Sequence, residues 1–169
     1  MSEGPRVPIG VRWLEFFWRV VRAHRSDFRM KKPTTPVEFL LSHPCGLQIQ
    51  RGLPEAALLN IDDVERTDMA TGYVWYRLPQ TEMAGRQIAM NLCFHAGVLA
   101  QISAADADPT FGMTWDDWSA EKEKSRAHAT ERWLVAIGFK VGTYPWGAVW
   151  AGTDPKTGDG GGGITFKSR

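Results

Sequence analysis

The spacing of apolar residues predicts two helices in the first part of the chain. Residues 9–25 carry a wide apolar face, and their charged residues recur three and four positions apart, as on one side of a helix. This predicts a long helix packed in the core, although a basic helix with aromatic residues can also lie on an anionic membrane. A short second helix is expected to begin with Thr35 as its cap and to end before His43-Pro44.

Between residues 45 and 104 the pattern changes to the alternation that is typical of strands. Strands are expected over residues 47–50, 73–78, 86–94 and 98–102, with turn residues at 79–85 and at 95–97. Because the segments between them are short, the strands are expected to pair antiparallel.

The last third of the chain predicts another long helix followed by a hairpin. The sequence of residues 114–117 forms a capping pattern, so a helix is expected from about residue 115 to residue 137, ended by Gly138. Strands over 144–150 and 164–166 would then flank a turn at 154–158. The four glycines from 160 to 163 either weaken the returning strand or mark the close approach of another backbone.

These elements together predict an α+β fold, in which an antiparallel sheet of about five strands carries two longer helices packed on one face. The 169 residues are enough for one domain, so we expect a single globular domain over residues 1–169, with 1–8 as a loose terminus. The chain contains eight tryptophans, and most of them fall at predicted core positions. The pattern leaves open whether Trp18, Trp75 or Trp150 faces outward.

The formal net charge of +1 conceals two acidic segments between basic ends. Residues 53–68 contain five acidic residues and one basic residue, and residues 103–123 contain six and one. These acids either neutralise other parts of the fold or form a surface for a basic protein partner. The second interpretation selects acids from both segments and two aromatic anchors as candidate partner-binding residues. They are Asp62, Asp63, Glu65, Asp68, Asp106, Asp108, Trp75 and Trp150.

The chain lacks the motifs of common catalytic, metal and nucleotide sites. Its four histidines and two cysteines form no cluster at metal-ligand spacing, and no helix follows the glycine run to receive a phosphate. A nucleophile motif of the G-x-S-x-G type is missing, although Cys93 with His43 or His128 stays open as a pair. We therefore expect no cofactor, no metal and no catalytic residue, and Cys45 and Cys93 as free thiols.

The charge and hydropathy of the chain also bear on its partners. A net charge of +1 gives no broad basic footprint for nucleic acid, and the arginines and lysines between residues 12 and 32 are the sole candidate. A membrane helix needs about 18 consecutive apolar residues, and no stretch reaches that length. The N-terminal apolar run is interrupted by charges, unlike a secretory signal, so a cytoplasmic location is expected.

The C-terminal third combines a helix that ends in Trp-Leu, a glycine, a strand with an aromatic-Trp-Gly pattern and an Asp-x-x-x-Gly turn. The residues are Glu131-Arg132-Trp133-Leu134, Gly138, Tyr144, Trp146-Gly147, Val149, Asp154-Pro155-Lys156-Thr157-Gly158 and Ile164-Thr165-Phe166. Over about residues 114–166 this pattern resembles the immunity-type proteins of bacterial polymorphic or contact-delivered toxin systems. The resemblance implies a protein that neutralises a cognate toxin by binding it directly and performs no catalysis.

A second hypothesis is a small-ligand-binding or hydrolytic α+β domain with a pocket between the sheet and the helices, since aromatic side chains line many pockets. The position of the acids distinguishes the two hypotheses. A convex acidic face favours protein binding, whereas a cavity that holds His95 or His128 beside a carboxylate favours the second hypothesis.

Overall fold

The computed structural model describes residues 39–112, 114–155 and 157–167. Within these residues the chain forms ten strands, one α-helix and three short 3₁₀ helices at Glu55–Leu58, Pro109–Phe111 and Trp115–Asp117. The strands and the helix are, in order, β1 Leu40–Ser42, β2 Gln48–Gln50, β3 Glu65–Asp68, β4 Tyr73–Arg77, β5 Thr81–Met83, β6 Arg86–His95, β7 Val98–Asp106, α1 Ala120–Ala136, β8 Gly142–Tyr144, β9 Gly147–Thr153 and β10 Gly160–Phe166.

Eight of these strands form one sheet in which every pairing is antiparallel, and β1 and β2 pair separately as a hairpin. The strand order is β3-β4-β6-β7-β10-β9-β8, and β5 pairs with β6 beyond the end of β4. The last strand of the chain therefore lies in the middle of the sheet. It joins β3–β7 on one side to the β8–β9 hairpin on the other.

The main core lies on one face of this sheet. Ile88, Met90 and Leu92 of β6 are fully buried there together with Trp133 and Leu134 of α1. The alternation of side chains along a strand places a second, smaller cluster on the opposite face. This second cluster consists of Trp75, Cys93, Ala105 and Trp150, with Met69 and Tyr73 packed against it.

The helix α1 begins later than the capping pattern predicts. Its cap is Ser119, which has an extended backbone and whose hydroxyl accepts a hydrogen bond from the Lys122 N–H at 3.2 Å. The predicted cap at residues 114–117 instead forms a single 3₁₀ turn. The predicted end is confirmed, since Gly138 follows the helix with a φ of +97°.

The four consecutive glycines lie within the regular strand β10. A Cβ atom on Gly160 would overlap the backbone carbonyl of Glu123 in α1, and one on Gly163 would overlap the carbonyl of Ile102 in β7. Of the two alternatives for this run, close approach of another backbone is therefore confirmed. The glycines let α1 pack directly on the central strand.

The predicted fold class is wrong. Instead of about five strands and two long helices, the described residues form an eight-stranded sheet, a two-stranded hairpin and one long helix. The additional strands β3, β5 and β8 have three or four residues each, too few for alternation to reveal them. The predicted helix over 9–25, the loose terminus over 1–8 and Trp18 lie outside the described residues.

The prediction of a short helix that begins at Thr35 is also wrong for the part of it that the structure describes. Residues Leu40–Ser42 form strand β1, which pairs with β2 so that Leu41 lies opposite Ile49 and both side chains are buried. Burial of this pair outweighs the local capping pattern at Thr35, which lies outside the described residues.

Candidate functional site

Strand β3 forms one edge of the sheet and, among the described strands, pairs only with β4. All four of its residues are exposed. The Met69 N–H donates to the Tyr73 carbonyl at 3.1 Å, and the direction of backbone hydrogen bonds alternates along an antiparallel strand. The backbone N–H and C=O groups of Arg66 and Asp68 therefore point away from β4. Among the described strands none pairs with this side of β3, so these groups form a polar edge with which another strand can pair.

Four of the candidate acids lie along this edge. Asp62 and Asp63 are exposed in the turn that leads into β3, and Glu65 and Asp68 are the first and last residues of the strand. Asp63 has a φ of +57°, a backbone conformation that aspartate tolerates better than most residues do. We call Asp62, Asp63, Glu65 and Asp68 together the acidic edge.

Two arginines fix part of the acidic edge in place. Arg66 pairs with Asp68 at 3.4 Å and with Glu55 at 3.5 Å, and its Nε donates to the Tyr76 hydroxyl at 3.1 Å. The hydrogen bond to Tyr76, together with the nearby carboxylate of Asp68, raises the pKa of Arg66. Arg77 pairs with Glu65 at 3.5 Å.

The carboxylates of Asp62 and Asp63 differ from the other two acids of the edge. Within the described residues, neither lies within ion-pair distance of a basic side chain. The acidic edge is therefore anchored along β3 and carries unneutralised charge in the turn before it.

The two candidate acids of the second acidic segment, Asp106 and Asp108, serve the fold. Asp106 is only 1% exposed and accepts hydrogen bonds from Arg86 at 2.7 Å and from the Asp108 N–H at 3.0 Å. The Asp108 carboxylate accepts from the hydroxyl and the N–H of Thr110, and these bonds lower the pKa of Asp108. Sequence reasoning grouped both with the surface acids, but Asp106 is buried and Asp108 caps a 3₁₀ turn.

The two candidate aromatic anchors are likewise buried. Trp75 is 3% exposed and Trp150 is 7% exposed, and both belong to the cluster on the face opposite α1. Sequence reasoning missed Leu59, which is 77% exposed and lies three residues before Asp62. A usable signal was the pair Leu58-Leu59 at the end of a short helix, because two consecutive side chains there cannot both face the core.

The described residues contain no group of three His, Cys, Asp or Glu that could hold a metal ion. Cys93 makes no described hydrogen bond to His43 or His128, and burial raises the pKa of its thiol to about 12. The nitrogen Nδ1 of His43 lies 2.9 Å from the Cys45 sulfur, and burial lowers the pKa of this histidine.

The second hypothesis requires His95 or His128 to lie in a cavity beside a carboxylate. His95 lines a cavity, but the residues around that cavity include no carboxylate and belong to strands and loops rather than to α1. His128 lies 3.9 Å from a carboxylate oxygen of Glu131, on the exposed side of α1. Neither of these two places combines a histidine, a carboxylate and a cavity.

Comparisons with protein-family models, with curated proteins and with solved structures find no match to this chain. Within the described residues, no helix is long and apolar enough to cross a membrane.

Proposed function

We propose that this chain is a non-catalytic protein-binding module of the bacterial immunity or antitoxin type. It neutralises a cognate toxin by direct binding, in the cytoplasm of the cell that makes the toxin. The observation that carries the proposal is the acidic edge, where exposed carboxylates and an open strand edge occur on the same segment of chain.

The contrast between the acidic edge and the buried acids of the second segment supports this proposal. Asp106 and Glu123 of the second segment are buried in ion pairs with arginines, so their charges serve the fold. Asp62 and Asp63 are adjacent like charges with no described ion pair, and mutual repulsion of such charges weakly opposes folding. Basic side chains of a partner would neutralise these two carboxylates and so relieve the repulsion between them.

The chemistry of the edge indicates the kind of partner that fits it. The outward backbone groups of Arg66 and Asp68 suit a strand or extended segment, which adds to the sheet by main-chain hydrogen bonds. The carboxylates select lysine and arginine side chains and accelerate the encounter. The exposed Leu59, three residues before Asp62 in the sequence, offers an apolar side chain for a further contact.

Co-expression with the product of the adjacent gene tests the function directly. Cells that make this product alone should stop growing, and cells that also make the present chain should grow. The purified proteins should form a stable complex by isothermal titration calorimetry, with an affinity that falls as salt is raised. Failure to bind at both low and physiological salt would overturn the proposal.

A pair of matched variants localises the interface. One variant neutralises the acidic edge: Asp62→Asn, Asp63→Asn, Glu65→Gln and Asp68→Asn. The control neutralises the same number of acids elsewhere on the surface: Glu82→Gln, Asp116→Asn, Glu121→Gln and Glu131→Gln. The edge variant should bind the partner at least about tenfold more weakly, and the control should bind within about twofold of the parent. Equal losses in both variants would place the interface elsewhere.

A further inference from the structure

A cavity of about 260 Å³ opens at one end of the large sheet. It lies where the turn between β6 and β7, the end of β10 and the residues after β2 meet. None of the four acids of the acidic edge lines this cavity.

The polar lining of the cavity is entirely basic. Arg51, His95 and Lys167 contribute to it, and no Asp or Glu does. The Arg51 guanidinium donates to the backbone carbonyl of Lys167 at 3.3 Å, which joins two parts of the chain that are 116 residues apart in sequence. Within the described residues, neither Arg51 nor Lys167 forms an ion pair with a carboxylate. Two basic residues that line one cavity without a described counter-charge favour the binding of an anion there.

The rest of the lining is apolar. The buried core residues Leu99 and Phe166 form part of the wall, and the exposed Val98 also lines it. A ligand that fits both parts of this lining carries one negative charge at one end and a hydrocarbon body at the other. Ligand pockets commonly measure about 300–1,000 Å³, so this smaller volume fits a small molecule.

We propose that this cavity binds a small organic carboxylate with a short apolar body. The planar guanidinium of Arg51 matches the geometry of a carboxylate and can donate two parallel hydrogen bonds to it. The ammonium group of Lys167 supplies a second positive charge, and the apolar body contacts Val98, Leu99 and Phe166. This site is independent of the acidic edge, so either proposal can fail while the other stands.

Hexanoate is a suitable probe, with hexanamide as its neutral equivalent and hexylamine as its cationic equivalent. Each compound is titrated into isotopically labelled protein. Hexanoate should shift the amide resonances of Val98 and Ala100. Hexanamide should bind at least about tenfold more weakly, and hexylamine should not bind at concentrations up to about 10 mM. Inorganic phosphate, which lacks the apolar body, should also bind more weakly than hexanoate.

Substitutions then assign the charge contacts. Arg51→Gln and Lys167→Gln should each weaken hexanoate binding about tenfold or more, and the double variant should weaken it further. Arg132→Gln removes an exposed arginine of α1 and should leave binding unchanged. Since the two cavity variants alter different segments, misfolding of one leaves the other as a test. Equal binding of hexanoate and hexanamide, tighter binding of phosphate, or no resonance shift with hexanoate would overturn the proposal.

Discussion

The backbone N–H of Gly160 donates a hydrogen bond to the Glu123 carboxylate at 2.8 Å, which joins the central strand β10 to helix α1. The same carboxylate pairs with Arg126 at 3.0 Å, and Arg126 in turn donates to the carbonyls of Phe111 and Gly112. The buried ion pair of Glu123 and Arg126 therefore connects the helix, the central strand and the loop before the helix. This connection requires a residue without a side chain at position 160.

Gly160→Ala should destabilise the protein by about 3 kcal/mol or more, because its Cβ would overlap the backbone carbonyl of Glu123. Gly152→Ala is the matched control in the same hairpin, since no atom lies within 4 Å of a Cβ there. The control should change the free energy of unfolding by less than about 1 kcal/mol. Urea denaturation measures both variants, and a similar stability for the two would contradict this packing.

Arg126→Met should destabilise the protein by about 3–5 kcal/mol, because it leaves the Glu123 carboxylate buried without its cation. It also removes the donor to the carbonyls of Phe111 and Gly112. Arg132→Met makes the same change at an exposed position of α1 and should cost less than about 0.5 kcal/mol. The comparison is made by urea denaturation at neutral pH, and a loss below 1 kcal/mol for Arg126→Met would argue against the buried pair.

Acidification should weaken the fold through His43. Burial lowers its pKa in the folded protein, so the unfolded chain binds more protons as the pH falls through the ordinary histidine value near 6.5. The free energy of unfolding should therefore decrease from pH 7.5 to pH 5.5. His43→Gln should show less of this decrease than the parent, whereas the exposed-site control His128→Gln should retain it. A parallel pH dependence in the parent and His43→Gln would refute this assignment.

The thiol of Cys93 should resist alkylation in the folded protein. Burial raises its pKa to about 12, so almost no thiolate is present at pH 8. In Cys45→Ala, iodoacetamide should label Cys93 only after denaturant is added. In Cys93→Ala, the half-buried Cys45 should be labelled under native conditions. Mass spectrometry follows both variants, and rapid native labelling of Cys93 would show that its cluster opens readily.

The sequence predicts the long, well-patterned elements of this fold and misses the short ones. Strand β6 shows clear alternation, and β4 is rich in aromatic and β-branched residues; both are confirmed, as is antiparallel pairing. Strand β7 begins where it is predicted and continues beyond its predicted end at residue 102 to Asp106. Strand β3 has no buried residue, so alternation cannot reveal it. Strand β3 lies at the edge because it pairs with β4. This pairing depends on where β4 lies in the sheet and not on the sequence pattern of β3.

The sequence also predicts the candidate site only in part. Charge counting finds both acidic segments but cannot separate surface acids from buried ones. Asp106 is buried because Arg86, 20 residues away in sequence, supplies a cation across the sheet. Asp62 and Asp63 have no such partner among the described residues. Trp75 and Trp150 are buried because they belong to the second apolar cluster, on the sheet face opposite α1. Composition alone does not reveal that this face carries such a cluster.

Hydrogen exchange of the free and partner-bound protein tests the central claim, that the edge formed by β3 is the binding surface. The amides of Arg66 and Asp68 point away from β4, whereas those of Glu65 and Thr67 point towards it. Binding of the adjacent gene's product should slow exchange at Arg66 and Asp68 at least about tenfold, and much less at Glu65 and Thr67. Unchanged exchange at Arg66 and Asp68, with new protection on another surface, would contradict the proposed function of this edge.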